Sequence, residues 1–309
     1  MAKTLGLALG SGGARGWAHI GVIRTLEQAG IKVDFISGSS IGALVGAIHA
    51  AGALHELEAF IRDLQWQDIL SFFDMVFPRS GLLDGNKIYA LLSDHIRSMA
   101  IEAAPIPFRC VATDLLRGEE VCLTSGSMVD AVRASISIPG VFTPVPWNGT
   151  HLADGGIVNP VPVDVVRAMG AEVVLAVNLN GRSPVAVAEI GVDESVIPVL
   201  PATEGTGVIA QFRGQYKALT ETLQSKLEQW LPQADQAPTI FETIGITLNL
   251  MEQQITQSRL ADCPPDLLVE PPLQEFGIFD FHRAAEIIRV GERHGRLILP
   301  ELQSRLMDE

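Results

Sequence analysis

The chain has 309 residues, enough for one large core or two modest domains, and its composition, 47% hydrophobic and 19% charged, is that of an ordinary globular protein. Its formal net charge of -14 argues against nucleic acid as the main partner and against electrostatic adhesion to an anionic membrane. The three cysteines, Cys110, Cys122 and Cys263, form no C-x-x-C pair, so we expect reduced thiols and neither a disulfide framework nor a zinc site.

The sequence predicts neither a secretory leader nor a membrane span. The apolar run at residues 5–9 ends in glycines and is too short for the apolar region of a signal peptide. The longest apolar stretch, residues 41–54, is interrupted by His49 and is too short to cross a bilayer. We therefore expect a cytoplasmic protein, and a peripheral apolar contact with the inner face of the membrane stays open.

The opening of the chain alternates between strand and helix. Residues 4–9 predict a buried strand, residues 10–16 a glycine loop, and residues 17–29 a helix. Residues 33–37 predict a second strand and residues 41–48 a buried helix. This β-α-β-α order is typical of a parallel sheet.

The rest of the chain continues the alternation and then becomes helical. Residues 54–99 are mainly helical. The later predicted strands are 108–113, 120–124, 150–153, 173–178 and 267–270, and the later predicted helices are 128–136, 163–169, 208–231, 241–257 and 281–299. We predict an α/β fold with a parallel-rich central sheet between helices. We divide it into a core at 1–181, an irregular loop or lid at 182–207, and a mainly helical C-terminal extension at 208–309 that packs on the core.

The segment GSSIG, residues 38–42, places Ser40 at the centre of G-x-S-x-G between a predicted strand and a predicted helix. A serine there lies at a helix N-terminus, where free N–H groups and the helix dipole favour a developing negative charge. Gly38 and Gly42 leave the space that so sharp a turn needs. Ser40 is therefore a candidate nucleophile, and the alternative is a plain turn in which Ser40 caps the helix.

The loop at residues 10–16 is a candidate oxyanion hole. Gly12 and Gly13 allow bare backbone amides to approach a substrate oxygen, and Arg15 could hold the loop or add positive potential. The same loop after a first strand also fits a nucleotide-binding turn, with Asp34 as a ribose ligand. The nucleotide hypothesis leaves the serine turn unexplained.

An activated serine needs a proton acceptor, and the usual chain order of a triad nominates Asp154 with His282 or His294. Both histidines lie among charged residues at a predicted terminal helix, which is more typical of a solvated surface. Asp154 follows a short strand and precedes Gly155 and Gly156, so a tight turn presents its carboxylate with little bulk around it. A carboxylate in a dry site can itself act as the base, and the alternative is an ordinary surface turn.

Taken in order, these motifs resemble those of the patatin-like phospholipases, whose hallmarks are a G-G-x-R-G loop, a G-x-S-x-G turn and a D-G-G/A motif. The corresponding segments are GGARG at 12–16, GSSIG at 38–42 and DGG at 154–156. The resemblance covers residues 4–180 and, less firmly, 277–285. It implies a dyad of Ser40 and Asp154 without a catalytic histidine, metal or cofactor. Ser11 departs from the family pattern, which has a glycine there, and serine would be strained if the position needs a positive φ.

The resemblance also implies a phospholipid, lysophospholipid or other acyl ester as substrate. Residues 66–77, rich in aromatics, fit an acyl groove, a membrane-touching rim or ordinary core, and an apolar face at 216–231 fits packing, lipid or a subunit interface. Any membrane contact is expected to be transient. Two other functions stay open: a regulatory or scaffold protein without turnover, and a nucleotide-binding protein that uses residues 10–16. The sequence does not indicate the oligomeric state.

Overall fold

The computed structural model describes residues 3–62, 86–96, 99–181 and 240–307. Three predicted segments lie outside the described residues: the aromatic segment at 66–77, the loop at 182–207 and the helix at 208–231. The predicted domain boundaries after residues 181 and 207 therefore stay predictions. Residues 1–186 and 245–309 form one compact unit, and residues 187–244 form another. The candidate site lies wholly within the first of these units.

The first unit contains an eight-stranded sheet flanked by helices. The strands are β1 (Leu5–Leu9), β2 (Phe35–Ser39), β3 (Phe108–Asp114), β4 (Glu119–Leu123), β5 (Val145–Trp147), β6 (Thr150–Asp154), β7 (Val173–Val177) and β8 (Leu267–Val269). The described helices are α1 (Trp17–Gln28), α2 (Ile41–Ala50), α3 (Leu54–Arg62), α4 (Asn86–Ile96), α5 (Met128–Ser135), α6 (Val163–Ala168), α7 (Ile240–Asp262) and α8 (Ala284–Met307).

The sheet is parallel where strands and helices alternate along the chain. Its order is β5-β6-β3-β2-β1-β7-β8, and β4 pairs with β3 outside this path. The strands β8, β7, β1, β2 and β3 are parallel neighbours, whereas β4, β5 and β6 join by antiparallel pairs. The predicted α/β fold, with a parallel-rich sheet and a C-terminal helix, is confirmed.

Strand β1 lies in the middle of the sheet and is buried along its whole length. Leu5, Leu7 and Leu9 join the larger of two apolar clusters, and Ala8 joins a smaller cluster that includes Val174. Because successive side chains of a strand point to opposite faces, a strand covered on both faces is apolar throughout. This explains why residues 5–9 form one continuous apolar run.

The strand register brings two distant parts of the chain together on β3. Strand β2 runs parallel to β3, and its last residue, Ser39, lies opposite Val111. Strand β6 runs antiparallel to β3, and its last residue, Asp154, lies opposite Ala112. Since β4 occupies the other edge of β3, β2 and β6 run towards each other along one edge and end at consecutive positions. The residue that follows β2 and the residue that ends β6 therefore meet.

Three local features differ from the sequence prediction. Strand β2 begins at Phe35, two residues later than predicted, so that Ser39 ends the strand and Ser40 opens the turn. The short strand Val145–Trp147 was not predicted, because three residues with a central proline carry no alternating pattern. The last helix begins at Ala284, after a single 3₁₀ turn at Phe281–Arg283, and continues to Met307.

Candidate active site

Ser40 occupies the turn between β2 and α2 with a backbone conformation that few non-glycine residues adopt, φ 54° and ψ -125°. Such a conformation costs on the order of 1–3 kcal/mol and persists only where its surroundings hold it. The Ser40 amide donates to Ser135 Oγ over 3.0 Å, and Ser135 Oγ donates to the Val111 carbonyl over 2.6 Å. A Cβ at Gly42 would collide with the carbonyl of Leu9, so the turn packs directly on the end of β1.

The Ser40 hydroxyl donates to Asp154 Oδ2 over 2.6 Å, and it does not cap helix α2. Both residues are buried, with 5% of Ser40 and 4% of Asp154 exposed. The neighbouring hydroxyl of Ser39 is also buried and has no hydrogen-bond partner among the described residues. The structure thus brings together the two residues that were predicted as nucleophile and base.

Backbone contacts on both sides of Asp154 fix its carboxylate. Its amide donates to the Ser137 carbonyl over 2.9 Å, and its own carbonyl accepts from Thr113 Oγ1 over 2.7 Å. Its Oδ1 accepts from the Gly156 amide over 2.8 Å, which leaves Oδ2 for Ser40. A Cβ at Gly155 would collide with the carbonyl of Val111, so the D-G-G turn lies against β3. The carboxylate is therefore oriented before any substrate binds.

Burial raises the pKa of Asp154 from its ordinary value of 3.8 to about 7. The charge of Glu252 contributes to this rise in pKa, and the hydrogen bonds from Ser40 and Gly156 oppose it. A group with a pKa near neutrality can accept a proton in one step and return it in the next. The site therefore gives a carboxylate the acid–base range that general acid–base catalysis needs.

Two adjacent amides of the glycine loop have no acceptor in the part of the chain that the structure describes. Their neighbours are occupied: the amide of Gly10 donates to Val177, that of Ser11 to Pro160, and that of Ala14 to Ile278. Within the described residues, the amides of Gly12 and Gly13 donate to no acceptor. Gly13 has a φ of 59°, and a Cβ there would collide with the Ile278 carbonyl, so the position requires glycine. Both glycines border the same cavity as Ser40 and Asp154.

Arg15 is buried, with 5% of the residue exposed, and its side chain hydrogen-bonds the glycine loop. Its Nε donates to the Gly12 carbonyl over 3.2 Å, and its two terminal nitrogens donate to Asn249 Oδ1, each over 3.2 Å. The C=O and N–H groups of a trans peptide point in opposite directions, so holding the Gly12 carbonyl turns the Gly13 amide away from Arg15. Arg15 therefore orients a candidate oxyanion donor.

The departure at Ser11 causes no backbone strain. Among the described non-glycine residues, only Ser40 and Asn148 have a positive φ. The Ser11 hydroxyl hydrogen-bonds the carboxyl group of Glu252, and Asn180 Nδ2 lies 3.4 Å from Ser11 Oγ. The serine is thus compatible with the loop and adds a side-chain contact that glycine could not make.

Two cavities meet at Ser40. The smaller one is bordered by the glycine loop, Ser40, Asp154 and helix α7, and its other polar side chains are Arg15, Asn249 and Glu252. The larger one has a volume of about 110 Å³ and a lining that is almost wholly apolar. Its described aromatic lining residues are Trp17, Phe60, Phe142, Phe279 and Phe281, and Leu44 and Leu91 are among its aliphatic ones. A carbonyl at Ser40 would therefore have an apolar space on one side and a polar one on the other.

The other candidates of the sequence analysis lie away from Ser40. His282 is exposed, His294 Nδ1 lies 3.0 Å from the Val290 carbonyl within α8, and neither histidine borders either cavity. Asp34 precedes β2 at the amino end of the strand and accepts from the Leu5 amide over 2.9 Å. The glycine loop follows the carboxyl end of β1, so Asp34 and the loop lie at opposite ends of the parallel strands.

Sequence reasoning missed Ser135, Asn249 and Glu252. Ser135 ends a predicted helix and carries no motif. Asn249 and Glu252 are three residues apart, so they share one face of α7, and that spacing was the only available signal. The described residues contain no cluster of three His, Cys, Asp or Glu side chains suited to a metal ion. None of the helices in the described ranges combines the length and apolarity needed to cross a bilayer.

Comparisons with known proteins identify the family of the chain. The sequence model of the family described as Patatin-like phospholipase matches residues 7–167. An uncharacterised NTE family protein of Mycobacterium tuberculosis strain H37Rv is 35% identical over 92% of this chain and 88% of its own length. Patatin-like phospholipase domain-containing protein 7 of Mus musculus is 29% identical, over 96% of this chain and 20% of its own. Lysophospholipase NTE1 of Pyricularia oryzae is 28% identical, over 97% and 19% respectively. The chain therefore belongs to the patatin-like phospholipase family, a family of carboxylic ester hydrolases.

Proposed function

We propose that the chain is a serine lipid acyl hydrolase of the phospholipase A, lysophospholipase or carboxylesterase type that uses Ser40 as nucleophile and Asp154 as base. The observation that carries the proposal is the 2.6 Å hydrogen bond from Ser40 Oγ to Asp154 Oδ2 in a buried site beside an apolar cavity. Membership of the family supports the reaction class, and the geometry supports these two residues for its chemical steps.

The first half of the reaction acylates Ser40. Asp154 Oδ2 takes the hydroxyl proton as Ser40 Oγ attacks the ester carbonyl carbon, and the carbonyl oxygen becomes an oxyanion. The unoccupied amides of Gly12 and Gly13 donate to that oxyanion, and Arg15 keeps their peptide oriented. The intermediate then collapses, the ester C–O bond breaks, and the departing alkoxide takes the proton from Asp154.

The second half regenerates the enzyme. Asp154, again a carboxylate, takes a proton from water as the water oxygen attacks the acyl carbon on Ser40. The second oxyanion forms at the same amides, and it collapses with release of the fatty acid. Asp154 returns the proton to Ser40 Oγ, so one carboxyl group carries one proton in each half-reaction and no histidine is needed.

The larger cavity suits the acyl chain of the substrate. Its lining is apolar, and it opens beside Ser40, so a chain placed there would hold its ester carbonyl between the nucleophile and the glycine loop. Phospholipids, lysophospholipids and simpler acyl esters all share this part of the structure. The curated fungal relatives are described as lysophospholipases, which supports beginning the substrate screen with lysophospholipids.

Lipid substrates of this kind reside in membranes or micelles, so the proposal includes a transient apolar contact with the lipid surface. Cosedimentation with phosphatidylcholine vesicles, repeated at low and high salt, measures that contact. A net charge of -14 leads us to expect weak binding that does not depend on anionic lipid. Binding that required anionic lipid would contradict this expectation.

Labelling with a fluorophosphonate probe, followed by intact mass and peptide mapping, tests the nucleophile. We expect one adduct on Ser40, none in Ser40→Ala, and labelling of Asp154→Asn slower by about 10²- to 10⁴-fold, the usual contribution of a general base. Ser39→Ala is the matched control, because it removes the adjacent buried hydroxyl and should label like the wild type. A folded wild type that takes no label would refute the proposal and favour the scaffold alternative.

A series of p-nitrophenyl esters tests the acyl cavity. Leu91→Trp would fill part of the lining from a half-buried position, so kcat/KM should fall for dodecanoate and change little for butyrate. Leu91→Ala enlarges the same wall and serves as its counterpart. An equal loss for both ester lengths in Leu91→Trp would place the acyl chain elsewhere.

A further inference from the structure

Helix α7 brings a second carboxyl group into the site that the family motifs do not include. Glu252 lies one helical turn from Asn249, so the two side chains share the face that borders the smaller cavity. Glu252 Oε2 accepts from Asn180 Nδ2 over 2.5 Å, and the Ser11 hydroxyl also hydrogen-bonds the carboxyl group. Burial raises the pKa of Glu252 above its ordinary value, whereas the charge of Arg15 and these donors act against that rise and favour the carboxylate.

The carboxyl groups of Glu252 and Asp154 both lie next to Gly156, around the space that a side chain at position 156 would occupy. A Cβ at Gly156 would lie 3.0 Å from Asp154 Oδ1 and would collide with Glu252 Oε1. The two carboxyl groups therefore lie on either side of Gly156, at the wall of one cavity. A buried carboxylate next to another disfavours the loss of the second proton, because two like charges are then close together in a poorly screened site.

Arg15 and Glu252 border the same small cavity, and burial lowers the pKa of Arg15 while the charge of Glu252 raises it. A buried guanidinium is unfavourable unless an opposite charge lies nearby, and the carboxylate that acts on Arg15 is that of Glu252. Among the described residues, the charged groups that act on the carboxyl groups of Asp154 and Glu252 are each other and Arg15: Glu252 acts on Asp154, and Arg15 acts on Glu252. The other contacts of the two carboxyl groups are neutral donors, from Ser40, Gly156, Ser11 and Asn180.

We propose that Glu252 is a positioning residue of this hydrolase: its carboxylate balances Arg15 beneath the glycine loop and keeps a negative charge beside Asp154, which makes Asp154 a stronger base towards Ser40. The proposal rests on the proposed function, because it assigns Glu252 a role through the dyad. It also accounts for Ser11, whose hydroxyl binds the carboxyl group that the family's glycine could not reach.

The pH profile of kcat/KM for p-nitrophenyl butyrate tests the proposal, since its acid limb reports the base of the free enzyme. Glu252→Gln keeps the shape and removes the charge, so the midpoint of the acid limb should move to lower pH by about one unit, with a lower plateau. Glu252→Asp retains the charge and should keep the midpoint near that of the wild type. Asp262→Asn is the matched control, because it removes one charge from an exposed position on the same helix.

The outcomes separate this proposal from the proposed function. A wild type that does not label at Ser40 would refute the dyad itself. If Ser40 labels normally but the acid-limb midpoint of Glu252→Gln stays within about 0.2 pH units of the wild type, the role of Glu252 alone is overturned. The shift expected from a neighbouring charge is several times larger. If Glu252→Gln does not fold, Ser11→Ala provides the test. Loss of the Ser11 hydroxyl favours a protonated Glu252, so the proposal predicts that the midpoint of the acid limb moves to lower pH. An unchanged midpoint overturns the proposal.

Discussion

Replacing Asp154 by asparagine should stabilise the protein at alkaline pH and have little effect at acid pH. A carboxyl group whose pKa is raised on folding binds its proton more tightly in the folded state, so its contribution to stability is present at low pH. That contribution is lost as the pH rises from its unfolded pKa through its folded pKa, here from 3.8 to about 7. The substituted asparagine side chain would carry no charge at any pH, which removes this penalty.

The magnitude follows from the same two values. Each pKa unit corresponds to about 1.36 kcal/mol, so ionising Asp154 in the folded protein costs about 4 kcal/mol at most relative to the unfolded chain. Because pH 4.5 already lies above the unfolded pKa, about 1 kcal/mol of this penalty is present there and about 3 kcal/mol more appears by pH 8.5. With about 2 °C of melting temperature per kcal/mol in a chain of this size, the gain of Asp154→Asn over the wild type should grow by about 6 °C between pH 4.5 and pH 8.5. Differential scanning calorimetry of both proteins across that range measures it.

Asp114, at the end of β3, supplies a control of opposite sign. Its carboxylate accepts from Thr150 Oγ1 over 2.6 Å, and this hydrogen bond lowers the pKa of Asp114. The stability that Asp114 contributes is present above its ordinary pKa of 3.8 and is lost as the pH falls below that value, so Asp114→Asn should be more harmful at pH 4.5 than at pH 2.5, with little further change up to pH 8.5. A difference between Asp154→Asn and the wild type that stays constant with pH would refute the reasoning, as would the same sign of pH dependence in both variants.

Three further substitutions test the geometry of the site. Ser135→Ala leaves the buried Ser40 amide and the Val111 carbonyl without their shared partner. It should therefore lower the free energy of unfolding by about 1–3 kcal/mol and slow the labelling of Ser40. Undiminished stability and labelling would show that the turn does not need this hydrogen bond. Gly13→Ala introduces a Cβ at a φ of 59° against the Ile278 carbonyl, and ester hydrolysis should fall by about 10²-fold or more when an oxyanion donor is displaced; wild-type activity would remove Gly13 from the oxyanion hole. Alanine variants of His282 and His294 should keep kcat within about twofold of the wild type, since both lie outside the cavities that Ser40 borders; a loss comparable to that of Asp154→Asn would restore a histidine to the mechanism.

Much of the fold could be predicted because its central strands are buried on both faces. The apolar runs at 5–9 and 173–177 can be recognised without any tertiary information, and the helices between them keep a 3.6-residue period. Strand β5 could not be predicted in this way, since its three residues contain Pro146, pair with β6, and pack against the core through Val145 and Trp147. Its existence depends on these contacts and not on a pattern in its own sequence.

The dyad could be nominated from local sequence, but its assembly could not. The motifs around Ser40 and Asp154 are separated by 114 positions, and their meeting depends on β2 and β6 ending at consecutive positions on one edge of β3. Glu252 shows the limit more clearly. A single glutamate within a helical pattern indicates a solvated face, and only the packing of α7 against the glycine loop turns it into a neighbour of the base.

The raised pKa of Asp154 supports the proposal that a carboxylate serves as the base in place of a histidine. A general base works best when its pKa lies near the working pH, and an ordinary aspartate, at 3.8, is too weak a base by about three pKa units. Burial, assisted by the charge of Glu252, brings Asp154 to about 7, close to the 6.5 that an unperturbed imidazole has in water. A buried histidine would move the other way, as His19 does behind the glycine loop, where burial lowers its pKa to about 4. A site dry enough to hold an acyl ester away from water therefore shifts the pKa of a carboxylate towards neutrality and shifts the pKa of a histidine away from it.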